Sequence, residues 1–338
     1  MDEISQRAHC TASDGPVLAA KLRSFSGAKA AVAGHVRPDG DCIGSQVALT
    51  RVLIALGCDA VAVNEHSVPR TQRNFVGDTP FFLPGQVPDL RERRVLSVDC
   101  ASFKRLGTGV LSRIGPVELN IDHHISNERF AAENYIYPSA CATSEVLGCL
   151  FLDNALPVDA VTAQALYVGI ATDTGQFKFA STTAHSFELC CELMARGANP
   201  AAAARDIYEN ESRAKIRLLT AFLQSLSFEF GGRVCIGILP ESTFVLTGAE
   251  REDVEGLVDY ARDIEGVEIG VCLEYRGGTV KGSFRAKDPS RRVDILASKF
   301  GGGGHAAAAG FNCDMAPETF YPAMIAAIAE LLGAQEAN

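Results

Sequence analysis

The sequence lacks three features that would each narrow its class. No apolar run approaches the ~20 residues of a membrane-spanning helix, and the polar start MDEISQRAHC contains no apolar signal-peptide segment. Basic residues are scarce, because 31 Lys and Arg stand against 41 Asp and Glu, which gives a formal net charge of -10. Nonspecific binding of long nucleic acids needs the opposite balance. A general nucleic-acid coat is therefore disfavoured, whereas a local pocket for a small anion stays open.

The 11 cysteines form no C-x-x-C pair. Cys190 and Cys191 are adjacent, and the others, such as Cys42 and Cys100, are scattered, many of them among apolar residues. This usage is typical of free, buried thiols in a reducing compartment. We therefore expect a soluble cytoplasmic protein, and a chain of 338 residues predicts two domains.

Short strand-like runs alternate with helical patterns in the first half of the chain. The predicted strands are 30–33, 59–64, 94–99 and 117–121, and the predicted helices are 43–56, 103–113, 144–152 and 159–171. This alternation predicts an α/β fold in which helices cover both faces of a parallel sheet. Ligands of such sheets collect outside the carboxyl ends of the strands.

The pattern changes after an Ala-rich stretch. We predict a first domain over residues 1–195, a connector helix over 196–219 and a smaller α+β domain over 220–338. The first part of the connector fits one more helix of the first domain equally well. Hairpins with Gly-Gly turns are predicted at 228–236 and 267–284, and helices at 251–263, 293–300 and 317–332.

The loop after the first predicted strand holds an imidazole and two carboxylates within seven residues. The run HVRPDGD contains His35, Asp39 and Asp41, and this mixture of ligands suits manganese, zinc or iron. Pro-Asp-Gly-Asp is also an ordinary turn sequence, and Asp41 fits an N-cap of the helix that begins near Ile43. This segment alone leaves both interpretations open.

Two further strand ends carry ligand-type residues. Asp99 ends the run Val-Leu-Ser-Val, where it fits a ligand or an N-cap. Asp122, His123 and His124 follow another apolar run. Adjacent histidines point in different directions, so one is free to bind a metal while the other faces a substrate, and the aspartate can accept a ring N–H. A solvated polar loop is the alternative, which the preceding apolar run disfavours.

A last carboxylate, Asp173, lies at the end of a helical pattern in the run TDTG, where Gly175 also fits a C-cap. The candidate metal ligands are then His35, Asp39, Asp41, Asp99, His123 and Asp173. A set of this size suits two cations about 3.5–4 Å apart that share a carboxylate, clamp a phosphoryl group and generate a hydroxide.

The second domain contributes a candidate anion site. Gly302, Gly303 and Gly304 lie in the run GGGGH, where backbone N–H groups can approach an anion closely, and His305 can bond a phosphate or a base. The glycines alone fit a flexible loop before a helix equally well. The strand that leads to Arg285 favours the anion site, because a guanidinium can fork onto a phosphate.

These motifs, in this order, resemble those of the DHH phosphoesterases. The spacing H-x-x-x-D-x-D, then Asp99, then DHH, then Asp173 resembles their four motifs, and GGGH resembles the signature of the accompanying DHHA1 domain. The length resembles the NrnA group, which degrades very short oligoribonucleotides and removes a phosphate from adenosine bisphosphate (pAp). The resemblance implies Mn²⁺-dependent hydrolysis in a cleft between the domains, with Mg²⁺ or Co²⁺ as alternative metals.

The resemblance also implies how two cations per site are shared among the ligands. One would be held by His35 and Asp39, the other by Asp41, His123 and Asp173, with Asp99 as the bridge between them.

Roles in catalysis and substrate binding follow from the same resemblance. Asp122 would orient its neighbours, His124 would contact the scissile phosphate and protonate the leaving oxygen, and Asn127 would support the loop. Arg285 and residues 302–305 would grip the terminal phosphate or nucleotide of the substrate.

We therefore expect a hydrolase that cleaves RNAs of two to five nucleotides to mononucleotides and dephosphorylates pAp. A phosphodiesterase for linear or cyclic dinucleotide messengers is the alternative, and an inactive nucleotide-binding sensor is the alternative from another class. No long nucleic acid and no membrane is expected as a partner. The apolar helices around Ile170 and over 189–194 are candidates for the face of a homodimer.

One position departs from the family pattern. Where the family often has Arg-Ser, this chain has Arg285 followed by Ala286. The resemblance implies that the lost hydroxyl weakens one phosphate contact and so alters substrate preference but not the chemistry.

Overall fold

The computed structural model of the chain describes residues 14–336. The polar run MDEISQRAHC, on which the expectation of a missing signal peptide rests, lies outside the described residues. The described chain divides into two compact units, with the boundary between Asn210 and Glu211. The domain limits given above, 1–195 and 220–338 with a connector between them, stay a prediction.

The first unit is built on a sheet of six strands, all paired in parallel. The strands are β1 (Lys29–Ala33), β2 (Asp59–Val63), β3 (Phe81–Phe82), β4 (Arg94–Val98), β5 (Val117–Asp122) and β6 (Glu133–Ile136). Their order across the sheet is β3-β2-β1-β4-β5-β6. The four strands predicted from the sequence are confirmed to within one residue at each end, and the short outer strands β3 and β6 were not predicted.

Both faces of this sheet are covered, as the α/β prediction requires. Ala30 and Val32 of β1 belong to one apolar cluster, whereas Ala31 and Ala33 point to the other face and belong to a second cluster. The helices of this unit are α1 (Gly15–Arg23), α2 (Gly40–Ala55), α3 (Arg73–Val76), α4 (Thr108–Leu111), α5 (Thr143–Asp153), α6 (Ala160–Asp173), α7 (Ala184–Ala195) and α8 (Pro200–Ile207).

The second unit contains a mixed six-stranded sheet. Its strands are β7 (Ser227–Glu229), β8 (Val234–Leu239), β9 (Ile269–Arg276), β10 (Thr279–Ala286), β11 (Gly303–His305) and β12 (Ala308–Cys313), in the order β11-β12-β10-β9-β8-β7. Strands β8 and β9 run parallel, and the other pairs are antiparallel. Both predicted hairpins are present. Gly303, Gly304 and His305 form strand β11, Gly302 directly precedes it, and strand β12, not a helix, follows the run.

The helices of the second unit are α9 (Arg213–Gln224), α10 (Glu241–Thr247), α11 (Leu257–Arg262), α12 (Val293–Ser298) and α13 (Pro317–Glu336). One face of the sheet packs against α12 and α13, where Phe284 and Phe320 share a cluster. On the other face α9 and α11 cover β8 and β9 through Phe222 and Cys272. Within the described residues this second cluster includes no residue of β10, β11 or β12.

Three helix predictions were too long, each for a local reason. The predicted helix 103–113 is broken at Gly107 and the helix 251–263 at Gly256, whose φ angles of 91° and 84° cannot continue a right-handed helix. In place of one connector helix over 196–219 the chain forms α8 and α9. Asn199 caps the first of these, and Ser212 starts a new cap for the second.

Only part of the homodimer face suggested by the sequence is exposed, and the homodimer stays a prediction. Ile170 and Leu189 are buried in the core of the first unit, and Met194 is exposed. Among residues 14–336, every helix is too short or too polar to cross a membrane.

Candidate functional site

The loop after β1 brings the first two predicted ligands together. Asp39 is the N-cap of α2, because its Oδ1 accepts a hydrogen bond from Cys42 N at 3.0 Å. The alternative that Asp41 caps this helix is therefore wrong. His35 Nδ1 lies 3.0 Å from Val36 O. This contact directs Nε2 towards Asp39 Oδ2 at 3.6 Å and Asp99 Oδ2 at 3.4 Å.

The first turn of α5 holds the buried carboxylate of Asp41. Thr143 N donates to Oδ2 at 2.7 Å and Ser144 N donates to Oδ1 at 2.9 Å, as expected for an anion at a helix N-terminus. The approach of α6 requires Gly169, since a Cβ there would lie 2.0 Å from Ser144 Oγ and 2.8 Å from Asp41 Oδ1. Glycine at this position therefore lets two helices meet around one carboxylate.

Asp99 lies at the centre of the candidate ligands. It follows β4 with a φ angle of 51°, a left-handed conformation that aspartate tolerates better than most residues. Its buried Oδ1 accepts from Thr143 Oγ1 at 3.0 Å. The same oxygen lies 3.8 Å from His123 Nε2 and 3.6 Å from His124 Nδ1. With His35 on Oδ2, three imidazoles surround this one carboxylate.

The buried Asp122 side chain organises the loop after β5. Its Oδ1 accepts from His123 N at 2.8 Å, from His124 N at 3.3 Å and from His124 Nδ1 at 2.7 Å. Asn127 Nδ2 donates to Oδ2 at 2.6 Å. Asp122 therefore fixes the position of the His124 ring through Nδ1.

The ring of His123 is held by a different acceptor. Its Nδ1 lies 3.2 Å from Ala140 O, and its Nε2 lies 3.3 Å from Asp173 Oδ2 at the end of α6. Backbone carbonyls thus hold Nδ1 of both His35 and His123, with Nε2 facing carboxylates. Histidines that bind a metal are oriented by such contacts.

The cluster around Asp99 contains several carboxylates, and burial together with their mutual repulsion disfavours their charged forms. Burial and the charge of Asp99 raise the pKa of Asp41 to about 7, and burial and the charge of Asp41 raise the pKa of Asp173 well above its usual range. Burial alone lowers the pKa of His123, but Asp99 and Asp41 outweigh it and raise this pKa to about 9. Divalent cations would relieve this repulsion, and imidazole with carboxylate is a fitting donor set.

The donors form three overlapping groups, each compact enough for one cation. The groups are His35, Cys42 and Asp99; Asp99, His123 and His124; and Asp41, His123 and Asp173. Asp39 and Asp122 belong to none of the three groups, but Asp39 lies 3.6 Å from His35 and Asp122 lies 2.7 Å from His124. The structure also adds Cys42, whose Sγ accepts from His35 N at 3.3 Å.

The residues that form hydrogen bonds to the candidate ligands Asp41 and Asp99 were not identified from the sequence. Thr143 and Ser144 begin α5 and bond Asp41 and Asp99. A signal for them existed, because Thr-Ser at the start of a predicted helix offers free N–H groups to an anion. Nothing in the one-dimensional pattern indicates which carboxylate accepts them.

In the second unit, Arg285 and His305 lie in one row across three strands. Arg285 pairs with Ala308, and Ala308 pairs with His305, so the three side chains lie on one face. The next row is Ser283, Gly310 and Gly303. Small residues thus form the floor between a guanidinium and an imidazole two strands apart, a spacing of about 10 Å.

Burial lowers the pKa of Arg285, and its Nε lies 3.9 Å from Asp259 Oδ1. Its neighbour Ala286 is buried in the apolar cluster on the opposite face of β10. A serine hydroxyl at this position would therefore point into the core and not at a phosphate bound beside Arg285. Ser283 places a hydroxyl on the face of Arg285.

Comparison with known proteins agrees with this division of the chain. The sequence matches the DHH family, N-terminal domain, over residues 29–170 and the DHHA1 domain over residues 241–334. It is 36% identical over 283 residues, covering 82% of each protein, to the bifunctional oligoribonuclease and PAP phosphatase NrnA of Thermus thermophilus. The chain belongs to the DHH family of phosphoesterases. DHH phosphoesterases are metal-dependent, and the cluster around Asp99 supplies fitting ligands.

Two further similarities extend over most of the chain. The bifunctional oligoribonuclease and PAP phosphatase NrnA of Bacillus subtilis is 25% identical over 287 residues, which cover 82% of this chain and 86% of that protein. The crystal structure of an exopolyphosphatase-related protein from Bacteroides fragilis has a TM-score of 0.84 at 22% identity and covers 94% of this chain and 96% of that one. The second comparison shows a shared DHH fold.

Proposed function

We propose that this DHH phosphoesterase hydrolyses RNAs of two to five nucleotides to mononucleotides and removes a phosphate from pAp, with Mn²⁺ as its cofactor. The observation that carries the proposal is the convergence of three strand ends and α6 on Asp99. The names of the Thermus thermophilus and Bacillus subtilis relatives support the two substrate classes. Carboxylate and imidazole ligands without an obligatory thiolate support Mn²⁺.

The division of the ligands into two sets is part of the proposal. His35 and Asp39 would hold one cation, Asp41, His123 and Asp173 would hold the other, and Asp99 would contribute to both. When bound, such cations neutralise charge on a phosphoryl group and lower the pKa of an attacking water.

His124 supplies the proton for the leaving oxygen in this proposal. Burial by itself lowers the pKa of its imidazole, but the contact with Asp122 and the charge of Asp99 outweigh it and raise the pKa. The Nδ1–H donates to Asp122, and Asn127 holds that carboxylate from the other side. A raised pKa favours the protonated imidazole, which suits His124 to the role of the acid that protonates the leaving oxygen.

The strand face of the second unit would bind the part of the substrate that is not cleaved. Arg285 offers a forked donor for a phosphate, His305 lies in the same row, and the floor of Gly303, Ala308 and Gly310 leaves room for a flat or extended group. A site of one arginine and one histidine fits a mononucleotide or a short oligonucleotide better than a long strand, whose binding requires many phosphate contacts.

A substrate panel tests the proposal. The purified protein, stripped of metal and reloaded with Mn²⁺, is given labelled two- and five-nucleotide RNAs, a long RNA, pAp, cyclic di-AMP and pyrophosphate. We expect fast turnover of both short RNAs and pAp and slow turnover of the long RNA. Asp99→Asn serves as the control for contaminating nucleases. Equal rates on short and long RNA would contradict the proposed preference.

The same panel separates the alternatives. Faster turnover of cyclic di-AMP than of RNA dinucleotide and pAp would indicate a messenger phosphodiesterase. Tight nucleotide binding without turnover of any compound would indicate a sensor. Repeating the panel with Mg²⁺ or Co²⁺ in place of Mn²⁺ ranks the three metals by the turnover that they support.

The expected location, a reducing cytoplasmic compartment, also belongs to the proposal. The ten cysteines among the described residues are all free, and nine of them are buried. Such thiols are suited to a compartment in which disulfides do not form.

A further inference from the structure

The first turn of α5 contains a buried acid to which the proposed reaction assigns no role. Glu145 follows Thr143 and Ser144 in this turn and is only 3% exposed. A carboxylate removed from water costs free energy unless hydrogen bonds hold it. The contacts that hold Glu145 therefore indicate what this acid does.

Both oxygens of Glu145 accept hydrogen bonds from buried donors. Oε2 accepts from Cys141 N at 2.7 Å, and Oε1 accepts from Ser186 Oγ on α7, also at 2.7 Å. An acid at the third position of a helix ordinarily bonds the N–H of the N-cap residue. Glu145 instead bonds the residue before the N-cap Ala142. The carboxylate therefore fixes the chain that leads into α5, and not only the end of the helix.

The bonded N–H belongs to a peptide group that also contacts a candidate metal ligand. The N–H of Cys141 and the C=O of Ala140 are parts of one planar peptide, and the carbonyl oxygen lies 3.2 Å from His123 Nδ1. The N–H and the C=O of a trans peptide point in opposite directions. Glu145 and His123 therefore bond the two ends of the same peptide, and hydrogen bonds linked in this way strengthen one another.

This contact determines which nitrogen of His123 faces the other ligands. A carbonyl oxygen only accepts hydrogen bonds, so a proton on Nδ1 completes the contact with Ala140. Nε2 lies 3.3 Å from Asp173 Oδ2 and is the atom turned towards the candidate ligands. Acceptors on the far nitrogen of a metal-binding histidine fix the tautomer and the orientation of its ring.

We propose that Glu145 is a positioning residue for His123 and acts through the peptide between Ala140 and Cys141. Its carboxylate holds this peptide, and the peptide holds the ring with Nε2 ready to bind a cation. The inference rests on the proposed function, which assigns His123 to one of two cations.

A single helical turn then serves two ligands of the same cation. Thr143 N and Ser144 N donate to Asp41, and Glu145 acts on His123 through the peptide. The proposed function assigns Asp41 and His123 to one cation. Loss of the Glu145 contact should therefore weaken the binding of this cation and leave the other largely unchanged.

The experiment compares two substitutions that separate reach from charge. Glu145→Gln keeps a side-chain oxygen within reach of Cys141 N but removes the charge, and Glu145→Asp keeps the charge but withdraws the carboxylate by one methylene group. The metal-free full chain is titrated with Mn²⁺, and electron paramagnetic resonance counts the free ions and detects coupling between bound ones. We expect Glu145→Asp to bind one of its two Mn²⁺ at least ~10-fold more weakly, and Glu145→Gln to retain more of this affinity.

Three further variants complete the test. At one bound ion, Glu145→Asp should give the same uncoupled Mn²⁺ spectrum as His123→Gln, which identifies the weakened site. Ser186→Ala removes one of the two donors to Glu145 and should weaken the same ion about 2- to 10-fold. Asp159→Ala removes the N-cap of α6 and is the control for a lost acid at a helix start, so it should lower the unfolding temperature and retain both affinities.

The outcomes separate this inference from the proposed function. Fewer than two Mn²⁺ in the wild type would overturn both. Two Mn²⁺ in the wild type, with the same affinities in Glu145→Asp and Ser186→Ala, would overturn the role of Glu145 alone. Weaker binding by Glu145→Gln than by Glu145→Asp would also overturn it, since charge and not the peptide contact would then matter. Circular dichroism checks each fold, and Ser186→Ala keeps the test decisive if Glu145→Asp does not fold.

Discussion

The cluster around Asp99 and the strand face around Arg285 hold their side chains in different ways. Asp41 and Asp99 are buried, and backbone N–H groups or a hydroxyl fix their oxygens. Arg285 is partly exposed on a strand with small neighbours, and Nη1 donates to the carbonyl of Phe284. The difference fits the proposed roles of the two regions, because reacting groups need fixed positions, whereas a side chain that only binds a phosphate tolerates adjustment. Substitutions in the two regions should therefore affect different kinetic constants.

The largest effect is expected for Asp99→Asn. Asparagine has the same size and tolerates the left-handed backbone, but it removes the charge between three imidazoles. Turnover of RNA dinucleotide and of pAp should both fall by at least ~10²–10³-fold, the effect of losing one electrostatic group aimed at a reacting centre. Steady-state rates measure this, and thermal unfolding checks the fold. Near-normal activity on either substrate would contradict the central role of Asp99.

Arg285→Ala should instead act mainly on KM. Loss of a hydrogen bond to a charged group costs about 1.5–3 kcal/mol, which corresponds to a rise in KM of about 10- to 150-fold with little change in kcat. Lys299→Ala is the matched control, since it removes an exposed cation of the same unit that pairs with Glu330. A fall in kcat with unchanged KM would remove the distinction between the two regions.

Metal binding should strengthen as the pH rises. A ligand that carries a proton must release it to bind a cation. The pKa of Asp41 is about 7 and that of His123 about 9, so Mn²⁺ displaces a proton from Asp41 mainly below pH 7 and from His123 mainly below pH 9. The pKa of the His35 ligand is also raised well above its usual range, and this imidazole adds to the same dependence. Each displaced proton changes the affinity by up to about tenfold per pH unit.

Calorimetric titration of the metal-free protein with Mn²⁺ at pH 6, 7 and 8 measures this dependence. Asp41→Asn is expected to reduce the pH dependence of the Mn²⁺ affinity below pH 7. An affinity that does not change from pH 6 to 8 would contradict the assignment of these two ligands.

The smallest effects concern the two hydroxyl positions on β10. Ser283 lies on the face of Arg285, and Ala286 lies in the core. Ser283→Ala should raise KM by about 2- to 10-fold, as for one neutral hydrogen bond. Ala286→Ser should leave KM unchanged and lower stability by about 1–3 kcal/mol, because it buries a hydroxyl. Tighter substrate binding by Ala286→Ser would show that this hydroxyl does reach the substrate.

Most of the first unit could be predicted from the sequence, because its buried parallel strands are short apolar runs with ligands at their ends. The breaks at Gly107 in the first unit and at Gly256 in the second could not be predicted, since a glycine within a helical pattern does not reveal its φ angle. The N-cap assignment was also ambiguous, because Asp39 and Asp41 are both good caps two residues apart. Which of them turns inward depends on α5, more than a hundred residues away.

The contacts that hold the candidate site needed the structure. The hydrogen bonds from Thr143 and Ser144 and the close approach at Gly169 depend on tertiary packing. In the sequence, only a weak helix-start signal points to them. The opposite faces of Arg285 and Ala286 follow from strand alternation alone. The expectation of a lost phosphate contact at Ala286 could therefore have been corrected without coordinates.

The left-handed backbone conformation of Asp99 bears on how this position changes during evolution. A residue at φ 51° would be relaxed as glycine, and besides its three imidazole neighbours the Asp99 carboxylate faces the buried acid Asp41, which repels it when no cation is bound. Folding alone therefore gives little reason to keep an aspartate at this position, whereas the proposed hydrolysis does. Proteins that lose the reaction are expected to change this position early and to become more stable in their metal-free form. Under the proposed function, we therefore expect an aspartate at this position to accompany retained activity.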